Sequence, residues 1–300
     1  MSWSDRVMAA LDERATVVET ARGAVQFGRS GEGPQVLALH GGPGGFDQGL
    51  AAAWHLEAGG CEVLAPSRPG YLRTPIASGG SPAEQADLYA ALLDELQIER
   101  VAVLGYSSGG PSAVQFAARH PERTRALFLD AAVLKPFHVP LSAVKRAVYE
   151  NGMVVWASYQ FSSRWPRRLT SMMVNGMSTG LSKEQRRAAV EWINSDPVRV
   201  RSMQAQWASI APRRYRKDGW ANDQANEALV GSLPFAEISA PTVVAHGVND
   251  GVIAVETAIE AASEIAGAEL MLVEEGHHAV SLNRNYGVVA ARQLELVREG

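Results

Sequence analysis

The sequence predicts an α/β fold: a mostly parallel sheet with helices on both faces and a helical insertion after the sixth strand. Three observations predict it. Short apolar runs alternate with helical stretches over residues 35–129. The alternation stops over residues 135–235 and resumes at Thr242. A Gly-x-Ser-x-Gly pentapeptide, Gly105 to Gly109, lies between an apolar run and a helix-like run.

In chain order, Ala15–Val18 and Ala24–Phe27 read as β-type runs, followed by a turn at Gly31–Pro34. Gln35–Leu39 reads as a strand and Asp47–Ala58 as a helix. Glu62–Ala65 is a strand, and Pro82–Leu96 is an amphipathic helix with apolar residues at helical spacing. Val101–Leu104 and Ala126–Leu129 are strands flanking a helix over Pro111–Arg119. The pattern then returns as strand Thr242–Ala245, helix Ile253–Ile265, strand Glu269–Val273 and helix Tyr286–Arg298. Three segments follow: residues 1–134 and 236–300 build one core, and residues 135–235 form a helical cap over the sheet's C-terminal edge.

That cap segment carries fifteen Lys and Arg against seven Asp and Glu, five of the seven Trp and five of the eight Met. Most of these large side chains are expected to pack cap against core, with two or three lining an apolar pocket. The positive balance reads as a solvated face, with an anionic substrate as the functional alternative.

The chain has 300 residues and a net charge of −4 at pH 7, so no global charge draws it to nucleic acid or an anionic membrane. Cys61 is the single cysteine, sits in an apolar run and suits a reducing compartment. Met1–Thr20 is too charged for a signal peptide, and no run of about 18 apolar residues occurs. The expectation is a cytoplasmic protein with a small-molecule substrate and no nucleic-acid or membrane partner.

The chemistry-bearing residues fall at strand ends, where α/β sheets build sites. Ser107 occupies the centre of the pentapeptide, the setting of a nucleophile elbow, where glycines allow strand and helix to close on each other. A serine hydroxyl needs a base, and the base needs an orienting acid. Asp250 follows strand Thr242–Ala245, and His277 and His278 follow strand Glu269–Val273. His40-Gly41-Gly42-Pro43-Gly44-Gly45 directly follows the strand Gln35–Leu39. It lacks the Gly-Lys-Ser/Thr of a phosphate loop. His40 and His246 read as structural residues. No C-x-x-C, H-E-x-x-H or carboxylate cluster suggests a metal, and neither metal nor cofactor is expected.

The order Ser107, Asp250, His277, with the His40–Gly45 loop, resembles the α/β-hydrolases over essentially the whole chain. The resemblance implies an α/β-hydrolase fold. It implies Ser107 as nucleophile, Asp250 as acid and, because relatives use the histidine directly after glycine, His277 rather than His278 as base. It implies an oxyanion hole from the N–H groups of Gly42 and Ser108. Asp130, at the end of the strand Ala126–Leu129, is the alternative acid. The expected reaction is hydrolysis of a carboxylic ester through an acyl-enzyme. The His40–Gly45 loop also resembles that of proline iminopeptidases. Ser108 and Pro66–Pro69 depart from their pattern, which has Trp after the nucleophile and an Asp-Gln/Arg-Arg-Gly turn. An aminopeptidase, a carbon–carbon bond hydrolase and a slow-turnover ligand receptor are the alternatives.

Overall fold

The computed structural model describes residues 1–138, 152–231 and 233–299. Eight strands form one sheet: β1 Thr16–Thr20, β2 Gly23–Ser30, β3 Gln35–Leu39, β4 Glu62–Pro66, β5 Val101–Tyr106, β6 Thr124–Asp130, β7 Thr242–Gly247 and β8 Glu269–Val273. Their order is β1-β2-β4-β3-β5-β6-β7-β8. β2 runs antiparallel to both neighbours, and the remaining pairs are parallel. The expected mostly parallel α/β sheet is therefore what forms.

Strand burial follows position in the sheet. β5 and β7 are buried at every residue, as strands covered on both faces must be. The edge strands β1 and β8 are largely exposed and carry Glu19 and Glu269, charges that discourage pairing with another chain. Successive residues point to opposite faces. Leu37, Leu39, Val103 and Leu127 join one apolar cluster with helices Pro82–Glu95, Gly110–Arg119 and Glu256–Glu264. Val36, Ala38, Leu104 and Phe128 join the other, with helices Trp3–Asp12, Phe46–Ala52, Trp54–Ala58 and Gly287–Glu299.

The helix Trp3–Asp12 is not among the elements expected from the sequence. Its signal was present: Ser2 and Asp5 form a reciprocal capping box, and Met8 and Leu11 bury one face at a spacing of three. The expected helix Asp47–Ala58 is two short helices, and the expected start at Ile253 moves to Glu256.

Between β6 and β7 the sheet gains no strand from the described residues. They form helices Gly152–Arg164, Pro166–Met177, Lys183–Asn194, Pro197–Ala208 and Lys217–Ala228. Residues 139–151 and 232 of the expected cap lie outside the described residues. A third apolar cluster joins Leu169, Met173, Val174, Ile193 and Met203 of these helices to Ala279 and Leu282 beyond β8. None of the described helices is long and apolar enough to cross a membrane.

Two ion pairs, one buried and one part-buried, fasten this region to the sheet. Arg68, after β4, donates two hydrogen bonds of 2.6 Å to Asp223, and both side chains are buried. Tyr71 donates to the same carboxylate. Arg216 donates to Asp47 from both terminal nitrogens and to the Gly44 carbonyl. Backbone bonds Leu72 N–H to Tyr215 O and Gly219 N–H to Gly70 O add to the seam. Removing one partner of such a pair strands the other charge without water. Asp223→Ala should therefore cost about 3–5 kcal/mol in urea unfolding, while Arg68→Met combined with Asp223→Leu should recover much of that loss.

Candidate active site

The parallel centre of the sheet sets the geometry. β5 lies between β3 and β6, and its C-terminal end delivers Ser107 into a tight turn before helix Gly110–Arg119. Ser107 has φ 51°, the left-handed region that side chains ordinarily avoid. Two glycines make room for this turn. A Cβ on Gly109 would stand 2.2 Å from the Leu39 carbonyl oxygen, and one on Gly105 2.6 Å from the Ala113 Cβ. The Ser107 carbonyl is held by the Val133 N–H at 2.9 Å.

His278 bridges the other two groups. Its Nε2 lies 3.0 Å from Ser107 Oγ, and its Nδ1 lies 2.8 Å from Asp250 Oδ2. A carboxylate can only accept, so Nδ1 carries the proton and Nε2 accepts from the serine hydroxyl. Asp250 is fixed at its other oxygen by the N–H groups of Val252 and Ile253, at 2.7 and 3.1 Å. His246 Nε2 reaches Asp250 Oδ2 at 3.2 Å. Burial pushes the Asp250 carboxyl up, but His278 and His246 facing it outweigh burial and hold it well below the usual carboxylate range.

The histidine expected as the base is not the one that meets Ser107. His277 does not meet Ser107 or Asp250; its ring is buried, and neither ring nitrogen has a hydrogen-bond partner. The reason is the turn after β8. Glu275 adopts φ 57°, and Gly276 presses against Gly247 at the end of β7. Asn283 then takes the His277 N–H at 3.1 Å, and the next residue, His278, faces Ser107. The His278 N–H itself donates to the Met177 carbonyl, so its backbone is tied to the end of helix Pro166–Met177.

The remaining residues also take defined places. Asp130 accepts from Tyr286 and Gln293, and burial raises its carboxyl to about 6. Those partners turn it away from His278. His40 accepts the Arg68 N–H at Nε2 and donates from Nδ1 to the Gly41 carbonyl at 2.6 Å. Burial, with Arg68 beside it, keeps that ring neutral, so it shapes its own loop. The loop packs on the Ser107 turn: a Cβ on Gly41 would lie 2.9 Å from Ser107 Cβ, and one on Gly42 2.9 Å from Ser108 Oγ.

A cavity of about 480 Å³ opens above Ser107 and His278. The sheet side contributes Gly42 and Tyr106. The helical region contributes Met172, Met173, Met177, Trp207 and Ile210. Gln48 and Gln206 add amides, and no Lys, Arg, Asp or Glu lines it among the described residues. Three methionines and one tryptophan of the segment thus face the cavity. Trp156 and Trp165, expected to pack, are instead about half exposed, at 46% and 49%.

The family model for the alpha/beta hydrolase fold matches residues 34–284. The chain belongs to the α/β-hydrolase fold family. It is 27% identical over 280 residues to an uncharacterized hydrolase of Bacillus subtilis strain 168, covering 91% of this chain and 95% of that one. It is 29% identical over 278 residues to a 2-hydroxymuconate semialdehyde hydrolase of Pseudomonas sp. strain CF600, covering 89% and 87%. Among solved structures, an α/β-hydrolase fold protein from Nakamurella multipartita is 38% identical with a TM-score of 0.89, covering 95% of this chain and 99% of that one. As an α/β-hydrolase, the chain has hydrolase relatives across nearly its whole length.

Burial, with His278 beside it, pushes the His277 imidazole down from 6.5 to about 4. The folded state therefore resists a proton that the unfolded chain accepts. Its stabilising effect is complete above pH 6.5 and is lost as pH falls towards 4. His277→Leu should lose about 2 kcal/mol less stability than the parent between about pH 7 and about pH 4.5. Urea unfolding at the two pH values measures this.

Proposed function

We propose that this α/β-hydrolase is a serine hydrolase of neutral, largely apolar carboxylic esters, with Ser107, His278 and Asp250 as its triad. The observation that carries the reading is the uncharged cavity directly above the Ser107–His278 hydrogen bond. Ser107 attacks the ester carbonyl, and its proton passes to His278 Nε2. Asp250 keeps the imidazole oriented and stabilises its cation. The N–H groups of Gly42 and Ser108 hold the oxyanion. The alcohol leaves with the proton from His278, and water activated by the same nitrogen releases the acid. The helical region between β6 and β7 serves as the cap and surrounds the acyl or leaving group with methionine and tryptophan surface.

The second reading, hydrolysis of a carbon–carbon bond, rests on relatives such as the 2-hydroxymuconate semialdehyde hydrolase. A muconate carries a carboxylate, and a buried carboxylate needs a cation or several donors. The cavity offers neither Lys nor Arg among its described lining. The nearby buried Arg68 is already committed to Asp223. Short-chain p-nitrophenyl esters should accordingly be turned over with kcat/KM at least about tenfold above that for 2-hydroxymuconate semialdehyde. The reverse ranking would favour carbon–carbon cleavage.

The roles within the triad are separable by mutation. Ser107→Ala and His278→Ala should each lower kcat for an ester by about 10³-fold or more, because they act as one unit. Asp250→Asn should also be severe, while His277→Ala should stay within about tenfold of the parent. Steady-state kinetics on folded variants checks this, and a more damaging His277→Ala would remove His278 from the role of base.

A further inference from the structure

A cleft of about 910 Å³ lies on the outer side of the helical region, between helices Pro166–Met177 and Lys183–Asn194. It is distinct from the cavity above Ser107, though the two share a helix. Met172, Met173 and Met177 of Pro166–Met177 line the cavity over the serine, whereas Ser171 and Asn175 line this cleft.

Six cationic residues line the cleft: Arg164, Arg167, Arg168, Lys183, Arg186 and Arg187. A single carboxylate accompanies them, Glu191, and it pairs with Arg187 at 2.9 Å. A solvated cationic face spreads its charges apart. Here six line one concavity with a single carboxylate among them, so the cleft as a whole carries a positive potential that suits an anion. Two further features belong to the same place. Arg186, one of the lining residues, has a buried Nε with no hydrogen-bond partner. Helix Pro166–Met177 begins at the cleft with Pro166 in its first turn and no side-chain cap, so its free N–H groups add positive potential there. Trp165, half exposed, supplies an aromatic face at the rim.

We infer that this cleft is a binding site for a ligand bearing two or more phosphate groups, held by Arg167, Arg168 and Arg186 and flanked by Trp165. Arginine suits this role because its planar donors meet phosphate oxygens in pairs. The inference does not depend on the ester-hydrolase reading, since it concerns binding alone and a different cavity.

The test is calorimetric titration of the full chain with sodium triphosphate and with ATP at low salt. Expected is saturable binding with Kd of about 100 µM or tighter, weakening as salt is raised. Arg167→Ser with Arg168→Ser should weaken it by about tenfold or more, as should Arg186→Ser alone. Arg167 and Arg168 are exposed, so their loss leaves the core intact. Arg22→Ser with Arg29→Ser, on the far sheet edge, removes the same charge and should leave binding unchanged. Co-sedimentation with vesicles containing cardiolipin, whose headgroup carries two phosphates, separates the sources. Vesicle binding displaced by triphosphate assigns the phosphates to lipid headgroups, and triphosphate binding without vesicle binding assigns them to a free small molecule. Absence of saturable binding, or equal weakening by the Arg22 and Arg29 pair, overturns the site.

Discussion

The site depends on one backbone conformation that a serine does not adopt unaided. At φ 51°, Ser107 is strained by about 1–2 kcal/mol, and the turn survives because its surroundings leave it no alternative. β5 is hydrogen-bonded on both sides, by β3 and β6, so the strand feeding the turn cannot shift. The residue after the strained turn enters a buried helix whose Ala113, Val114 and Phe116 belong to the core. Glycine at 105 and 109 lets backbone lie where any side chain would overlap a neighbouring carbonyl or methyl group. The hydroxyl consequently projects above the sheet edge, where the loops after β7 and β8 deliver their side chains.

Those loops are not set by the sheet alone. Met177 O, at the end of helix Pro166–Met177, accepts both the His278 and the Gly251 N–H. Ser178 bridges to Asp250, and Thr179 and Asn249 exchange hydrogen bonds. The helical region therefore reaches around the sheet and fastens the two loops that carry Asp250 and His278. On the opposite side, Arg68 links that region to the His40 loop: its Nε donates to the His40 carbonyl while its two terminal nitrogens hold Asp223. Displacing this region would loosen Asp250, His278 and the glycine loop together.

Sequence reasoning reaches what has a local determinant. The central strands and the tight turn at Ser107 follow from runs of five or six residues, and the place of Asp250 after β7 follows from the strand before it. The choice between His277 and His278 failed because it depends on how a turn packs. Glu275 at positive φ and Gly276 against Gly247 decide which ring faces inward, and Asn283 secures the outcome from six residues away. Nothing in the pair of adjacent histidines records that contact. The Arg68–Asp223 pair spans 155 positions and was equally invisible. The first helix is different: Ser2, Asp5, Met8 and Leu11 spell it out locally, through a capping box and a buried face.

The charge of the helical region shows why composition alone misleads about a pocket. Its excess of Arg and Lys invites an anionic substrate. The structure divides those cations among separate tasks. Arg216 is consumed in a part-buried pair with Asp47, and Arg199 stacks over Trp192 at 3.8 Å. The sheet's own buried arginine, Arg68, neutralises Asp223. Six more gather on the outer cleft, on the side of helix Pro166–Met177 away from the serine. The cavity over Ser107 receives none of them among its described lining, only methionine, tryptophan and two amides. A helix three to four residues per turn presents different chemistry to its two sides, so Ser171 and Asn175 can face a cationic cleft while Met172 and Met173 face an apolar one. Segment charge therefore says little about the lining of the cavity over Ser107, which depends on the few side chains that reach it.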